Sequence, residues 1–224
     1  MPNTEPLNTV LQSRSQQVIR LLLYLSLGTY LDIAYAVTAL MHQFANLSED
    51  HLNKVLYICC YLIKTWNYSL DYDGHSGLGI MACTDSNWGS NPTLHYSQTG
   101  YFFKIAGRLF SWSLHIQKSI TLSSIEAEYM VLPDCSHQAI WIWTLLHKLE
   151  YKEQSIPICG DNQGSIFMAL NPITKKHIKH INIWYHLVHD VVLDNKVQLY
   201  YIEGSENPTD MFTKNLGHMK FSKF

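Results

Sequence analysis

The sequence predicts a mixed α/β domain, a five-stranded sheet flanked by helices, preceded by a small helical segment. Before about residue 75, apolar residues recur at helical spacing: Val18, Leu22, Leu25, Ile33, Ala36, Val37, Leu40 and Phe44. After it, short apolar runs bounded by turn residues alternate with helical stretches, the pattern of strands and helices layered on one sheet. Hydrophobic residues make up 47% of the 224, enough to bury a core of that kind. The expected organisation is a helical segment over 1–75, the α/β domain over 76–217 and a tail over 218–224.

The elements follow in order. "RLLLYLSLGTYLDIAYAVTALM", Arg20 to Met41, is the most apolar stretch, but Gly28 and Asp32 interrupt it. It reads as a helix pair with a turn near Gly28 rather than a membrane span. A further helix begins after Ser48, a suitable N-cap with Glu49 and Asp50 in the dipole-favoured first turn. "DYDGHSG", Asp71 to Gly77, is a linker. "LGIMACT" is a buried strand leading to Asp85, and "SQTGYFFKIAGRLFSWS" a hairpin turning at Gly107, with Tyr101 to Phe103 and Trp112 as packing residues. A helix covers Ser124 to Leu149. Its Pro133 predicts a kink or break at Leu132–Asp134, with Asp134 capping a second segment. Trp141, Trp143 and Leu145 should pack on the sheet. "IPICG" is a strand running into Asp161, "NQGSIFMAL" a short helix, "HINIWYHLVHDVVLD" a helix, "KVQLYYIE" a strand, and "NPTDMFTKNL" opens a last helix.

Composition limits function. A net charge of −2 gives no general basic footprint, so nucleic-acid binding would rest on a local patch or on metal ions. Five cysteines, with no CxxC pair and no signal peptide, read as reduced thiols. No targeting segment stands out, and an intracellular location, cytoplasm or nucleus, is expected.

Four acids occupy suggestive positions. Asp85 and Asp161 end apolar strands, where open α/β sheets place ligands. Asp210 opens the last helix, and Glu128 lies one turn into the long one. Glu126 stands two residues from Glu128, about 200° around the helix, so the two cannot share a site. Ser123-x-x-Glu126 instead fits a capping box. Oxygen donors from separate elements, without histidine or cysteine among them, suit hard Mg²⁺ or Mn²⁺ ions.

The strings "TDSNWG", "SWSLHIQKSITLSSIEAEYMVL", "CGDNQGSI", "KHINIWYH" and "NPTDMFTKNL" resemble, in order and spacing, the ribonuclease H domain of copia-type retrotransposon Pol polyproteins. Residues 21–65 are similar to the segment joining that family's reverse transcriptase to its ribonuclease H. The resemblance implies a ribonuclease H-like fold and catalytic, metal-binding acids at Asp85, Glu128, Asp161 and Asp210. It further implies two Mg²⁺ ions, with Mn²⁺ an alternative, and cleavage of the RNA strand in RNA·DNA hybrids. A reverse transcriptase domain is then a natural partner, and no membrane is involved. Ser86, Asn87, Asn162 and Gln163 lie beside the acids and could contact substrate. Lys175, Lys176 and Lys179, in the basic stretch "TKKHIKH", could grip backbone phosphate.

The chain departs from the family in places. Asn87 stands where a second aspartate is common, Asn182 and Trp184 replace an aspartate and an arginine, Tyr30-Leu31 precedes Asp32 where arginine-proline is usual, and Pro133 enters the helix after Glu128. The helix "VLYICCYLIK" carries fewer basic residues. The sequence lacks the strand-turn of a polymerase metal site, so polymerisation by this chain alone is not expected. These features define a rival reading, an inactive transposon-derived remnant acting as a nucleic-acid-binding or assembly module. His177, His180, His186 and His189 lack the paired cysteines of common zinc sites, and helix-face or nucleic-acid contacts are expected of them.

Overall fold

The computed structural model describes residues 7–72, 79–90, 95–151, 155–171 and 182–221, without the side chains of 182–186 and 218. The chain forms two compact units, Met1–Asp71 and Tyr72–Phe224.

The first unit is helical. It contains α1 (Thr9–Gly28), a 3₁₀ turn (Leu31–Ile33), α2 (Ala34–Met41) and α3 (Glu49–Lys64). The helix pair does turn after Gly28, and Ser48 caps α3, its own N–H donating to Nδ1 of His51 at 3.1 Å. Ile19, Leu22, Ile33, Val37, Leu40, Leu47, Val55 and Ile58 form the core, joined from the faces that the helical periodicity marks. Asp32 accepts the Tyr61 hydroxyl at 2.6 Å, and burial together with this bond pushes the phenol upward. No described helix is long and apolar enough to cross a membrane.

The second unit is a mixed five-stranded sheet flanked by helices. The strands are β1 (Ile80–Asn87), β2 (Gln98–Ile105), β3 (Arg108–Ile116), β4 (Ile156–Gly160) and β5 (Val197–Tyr201). Their order is β3-β2-β1-β4-β5. The first three pair antiparallel, and β4 and β5 continue the sheet in parallel. The helices are α4 (Ser124–Lys148), α5 (Gln163–Leu170), α6 (Asn182–Leu193), α7 (Asp210–Thr213) and α8 (His218–Phe221). This is the ribonuclease H-like architecture expected from the sequence.

Local chemistry explains the elements. The β2–β3 turn places Ala106 at φ 51° and Gly107 at φ 74°, the paired positive angles that a two-residue hairpin needs to match strand twist. Successive residues of β2 serve opposite faces. Phe103 enters the core with Ala82, Tyr129, Leu132 and Ile158, while the Phe102 ring lies 6.0 Å from that of Phe212 in α7. Tyr101 packs edge-on against Phe103, so the "YFF" run is packing, as its alternation indicates.

Helix α4 corrects the expected break and the expected cap. It runs unbroken through Pro133, and Asp134 caps nothing: its carboxylate meets Nε2 of His115 on β3 at 3.0 Å. Proline removes one backbone donor and crowds the carbonyl of Tyr129. One buried stripe, however, continues across it: Tyr129, Leu132, Cys135, Ala139 and Ile142, none more than 3% exposed. A break at Pro133 would rotate half of that stripe off the sheet. Trp141 and Leu145 fall outside the stripe and are 58% and 41% exposed, while Trp143 packs partly on the core and stacks on His147.

Replacing Pro133 by alanine should restore the missing bond. We expect Pro133→Ala to stabilise the protein by about 1–3 kcal/mol, less than the full helix-interior penalty because proline also restricts the unfolded chain. Urea denaturation, with an unchanged m-value, measures it.

Candidate active site

The sheet register brings the first two acids together. Cys83 lies opposite Cys159 on parallel neighbours β1 and β4, so Asp85 and Asp161 emerge two residues further along adjacent strands. β1 continues to Asn87, which places Asp85 inside the strand rather than at its end, and Asp161 directly follows β4. Glu128 enters from α4, where the Ser86 N–H donates to its Oε1 at 3.0 Å and ties helix to strand. One carboxylate oxygen from each of Asp85, Glu128 and Asp161 falls within 4.8 Å of the others, and among the described residues this is the one such acid, cysteine or histidine cluster.

Glu126 takes the structural role. Its N–H donates to the Ser123 hydroxyl at 3.2 Å, and its Oε2 accepts the Leu122 N–H at 2.6 Å, one residue ahead of the cap itself. The cap therefore aims the first turn of α4 and leaves Glu128 to the site.

Asp210 arrives with α7, which three residues seat against the sheet. Asn207, fully buried, donates its amide to the Thr84 carbonyl at 2.9 Å while its oxygen accepts the Thr209 N–H at 3.1 Å. Gly100 sits opposite Asp85 on β2, and a Cβ there would lie 2.8 Å from Cγ2 of Thr213 and 3.1 Å from Cβ of Phe212. Asn87 donates its amide to the Thr213 carbonyl at 2.7 Å. The Thr213 hydroxyl donates to Oδ2 of Asp85, and Lys214 donates both to Oδ1 of Asp85, at 3.1 Å, and to Asp210. Lys220 also pairs with Asp210.

Burial and mutual repulsion govern the charges. Desolvation first, then the Asp85 and Asp161 carboxylates, push Glu128 up to about 8, against a smaller opposing effect of the Ser86 N–H. Desolvation raises Asp85 to about 6, although Lys214 and the Thr213 hydroxyl pull it down. Asp161 is raised by burial too, with Lys214 opposing. For Lys214 burial favours the neutral amine, but Asp85 and Asp210 overcome it and hold the ammonium above its usual range. The cluster therefore demands positive charge.

The other expected substrate contacts are placed as follows. Asn162 caps α5, its Oδ1 accepting the Ser165 N–H at 3.0 Å, and Gln163 is exposed in the first turn of that helix. Lys175, Lys176 and Lys179 lie outside the described residues, as do His177, His180 and the side chain of His186. Sequence reasoning missed Gly100, Thr213, Lys214 and Lys220. Only Lys214 left a local signal, its i,i+4 spacing from Asp210 on a helix.

Over 200 residues the chain is 30% identical to the retrovirus-related Pol polyprotein from transposon TNT 1-94 of Nicotiana tabacum, covering 89% of this chain. The chain is a homologue of the Pol polyproteins of plant transposons. The polyprotein from transposon RE1 of Arabidopsis thaliana is likewise 30% identical, over 194 residues and 86% of the chain. The chain spans only 15% and 13% of the lengths of these two relatives. No protein-family model matches. The N-terminal RNase H domain of a Mycobacterium tuberculosis protein is a structural neighbour, with TM-score 0.42 and 11% identity over 60% of this chain and 91% of that one.

Two outcomes follow from the geometry. Because Glu128 and Asp85 bind protons more tightly folded than unfolded, their contribution to stability is complete below their ordinary values, near 4. It is lost as pH rises through about 6 for Asp85 and about 8 for Glu128. In a chelating buffer the denaturation midpoint should fall between pH 5 and 8, and Glu128→Gln, which cannot ionise, should flatten that fall. Gly100→Ala should cost about 1–3 kcal/mol by overpacking against Thr213, read as a lowered urea midpoint.

Proposed function

We propose that this chain hydrolyses the RNA strand of RNA·DNA hybrids with the help of divalent cations bound at Asp85, Glu128, Asp161 and Asp210. The observation that carries the reading is the convergence of the first three carboxylates within 4.8 Å, Asp85 and Glu128 buried and Asp161 half-buried. The donor set fits the group. All candidate ligands are hard oxygens, as Mg²⁺ and Mn²⁺ prefer, and like charges so close, with proton affinities already raised, are relieved by a cation. Bound there, the ions would polarise the scissile phosphate and supply an activated water.

The chain's own residues hold and orient. Glu128, proton-bearing at neutral pH without a cation, gives up that proton on binding one, so affinity should rise with pH. Asn87 has committed its amide to Thr213 and offers its oxygen, and Asn162 has committed its oxygen to Ser165 and offers its amide. With Ser86 and Gln163 these groups would meet the 2′-hydroxyl and sugar edges by which an A-like duplex is recognised. Lys175, Lys176 and Lys179 would neutralise backbone phosphate. The homology to Pol polyproteins supports a reverse transcriptase domain as partner. An intracellular site of action, in cytoplasm or nucleus, belongs to the same proposal.

The test is cleavage of a labelled RNA·DNA hybrid by the purified chain in Mg²⁺ or Mn²⁺. Asp161→Asn should lower the rate about hundredfold or more, since even outer-shell groups of metal sites are worth 10–100-fold. Equal cleavage by the variant would reject the assignment. A folded wild-type protein that binds the hybrid without cutting it would instead establish the inactive binding module.

A further inference from the structure

We propose that Lys214 is a resident counter-cation of the carboxylate cluster, competing with divalent ions for the side formed by Asp85 and Asp210. The proposal rests on the metal-centre reading above and concerns how that centre is filled.

The inventory of carboxylate oxygens is uneven. Oδ1 of Asp85 accepts from Lys214 at 3.1 Å, and Oδ2 from the Thr213 hydroxyl. Oδ1 of Asp210 accepts from the same Lys214, and Oδ2 from Lys220. Every carboxylate oxygen of these two residues is thus engaged by a donor of the chain itself. Among the described residues neither Glu128 nor Asp161 has a lysine within ion-pair distance, and Oε1 of Glu128 holds only the neutral Ser86 N–H. A cation approaching the cluster finds the Glu128–Asp161 side without a directly paired lysine, Lys214 acting on Asp161 only from a distance, and the Asp85–Asp210 side neutralised.

The two partners of this contact differ in freedom. The Asp85 and Asp210 side chains are 0% and 4% exposed, fixed by the sheet and by α7, whereas that of Lys214 is 40% exposed. Lys214 can therefore swing its ammonium into solvent, and the carboxylates cannot follow. Displacement exchanges one cation for another on the same oxygens, without moving the backbone. The consequence is unequal occupancy: a first ion on Asp85, Glu128 and Asp161 meets Lys214 at Asp85 alone, and an ion that also uses Asp210 must displace Lys214 from both carboxylates and compete with Lys220. The i,i+4 spacing keeps the competitor within reach of Asp210.

Calorimetric titration of Mn²⁺ into the chelator-treated full chain tests this, beside Lys214→Met, Lys214→Gln, Lys214→Arg and Asp161→Asn. Removing the ammonium should tighten Mn²⁺ binding about tenfold or more, because an opposite charge at this range changes a carboxylate's proton affinity by roughly one to three orders of magnitude. Lys214→Gln keeps a hydrogen-bond donor for Asp85 and reports even where Lys214→Met leaves the site too bare to fold. Lys214→Arg retains the charge and should retain wild-type affinity. In chelator the neutral variants should melt below wild type, yet gain more from added Mn²⁺. Equal or weaker Mn²⁺ binding by the folded neutral variants, with Asp161→Asn still losing it, overturns the counter-cation alone. No Mn²⁺ binding by wild type, or equal binding by Asp161→Asn, overturns the metal centre and this inference with it.

Discussion

Three carboxylates held within 4.8 Å of one another, two buried and one half-buried, are the constraint around which the second unit is arranged. At an effective dielectric of about 20, two unit charges at that range repel by roughly 3–4 kcal/mol. Three ionised acids would then oppose folding by an amount comparable to the whole stability of a typical domain. The chain answers in three ways at once. Glu128 and Asp85 hold protons more tightly, the Ser86 N–H and Thr213 hydroxyl supply dipoles, and Lys214 supplies a full charge. Glu128 is left holding a proton and Asp161 is left without a paired lysine, and the cation that could take the place of that proton is the physical basis of the proposed function.

Long-range pairing rather than local sequence assembles the site. Asp85 and Asp161 meet because β1 and β4 are parallel neighbours, although the helix α4 and the hairpin separate them in the chain. Asp210 lies outside the 4.8 Å cluster but shares Lys214 with Asp85, because Gly100 leaves room for Phe212 and Thr213, and because Asn207 hooks the segment to Thr84 on β1. The packing of Phe102 on Phe212 covers the same seat with apolar surface. A chain that lost any of these contacts could keep its sheet and still misplace the fourth acid.

This explains which parts were legible beforehand. The strands and the hairpin at Gly107 show in apolar runs and turn residues, because those signals are local. The four acids stand in ordered strings whose resemblance to Pol polyproteins is distinctive, and the homology over most of the chain agrees with it. Gly100 looks like any glycine in a strand until the register sets it opposite Asp85 and under Thr213. Lys220 meets Asp210 from ten residues away, across the gap between two short helices, where no periodicity applies. Pro133 misleads for the converse reason. Its local rule is valid, but the buried stripe from Tyr129 to Ile142 outweighs one lost backbone bond.

The unbroken helix also bears on the division between Glu126 and Glu128. A break after Leu132 would have left Glu128 on a fragment of little more than two turns, aimed by its cap alone. Instead the turn that carries it is continuous with a 25-residue helix anchored on the sheet, and the Ser123–Glu126–Leu122 bonds fix the entry end. Glu128 is thereby held between a rigid helix and the Ser86 N–H of β1. Support from helix and strand together is the preorganisation that lets a buried carboxylate serve a site instead of relaxing away from its neighbours.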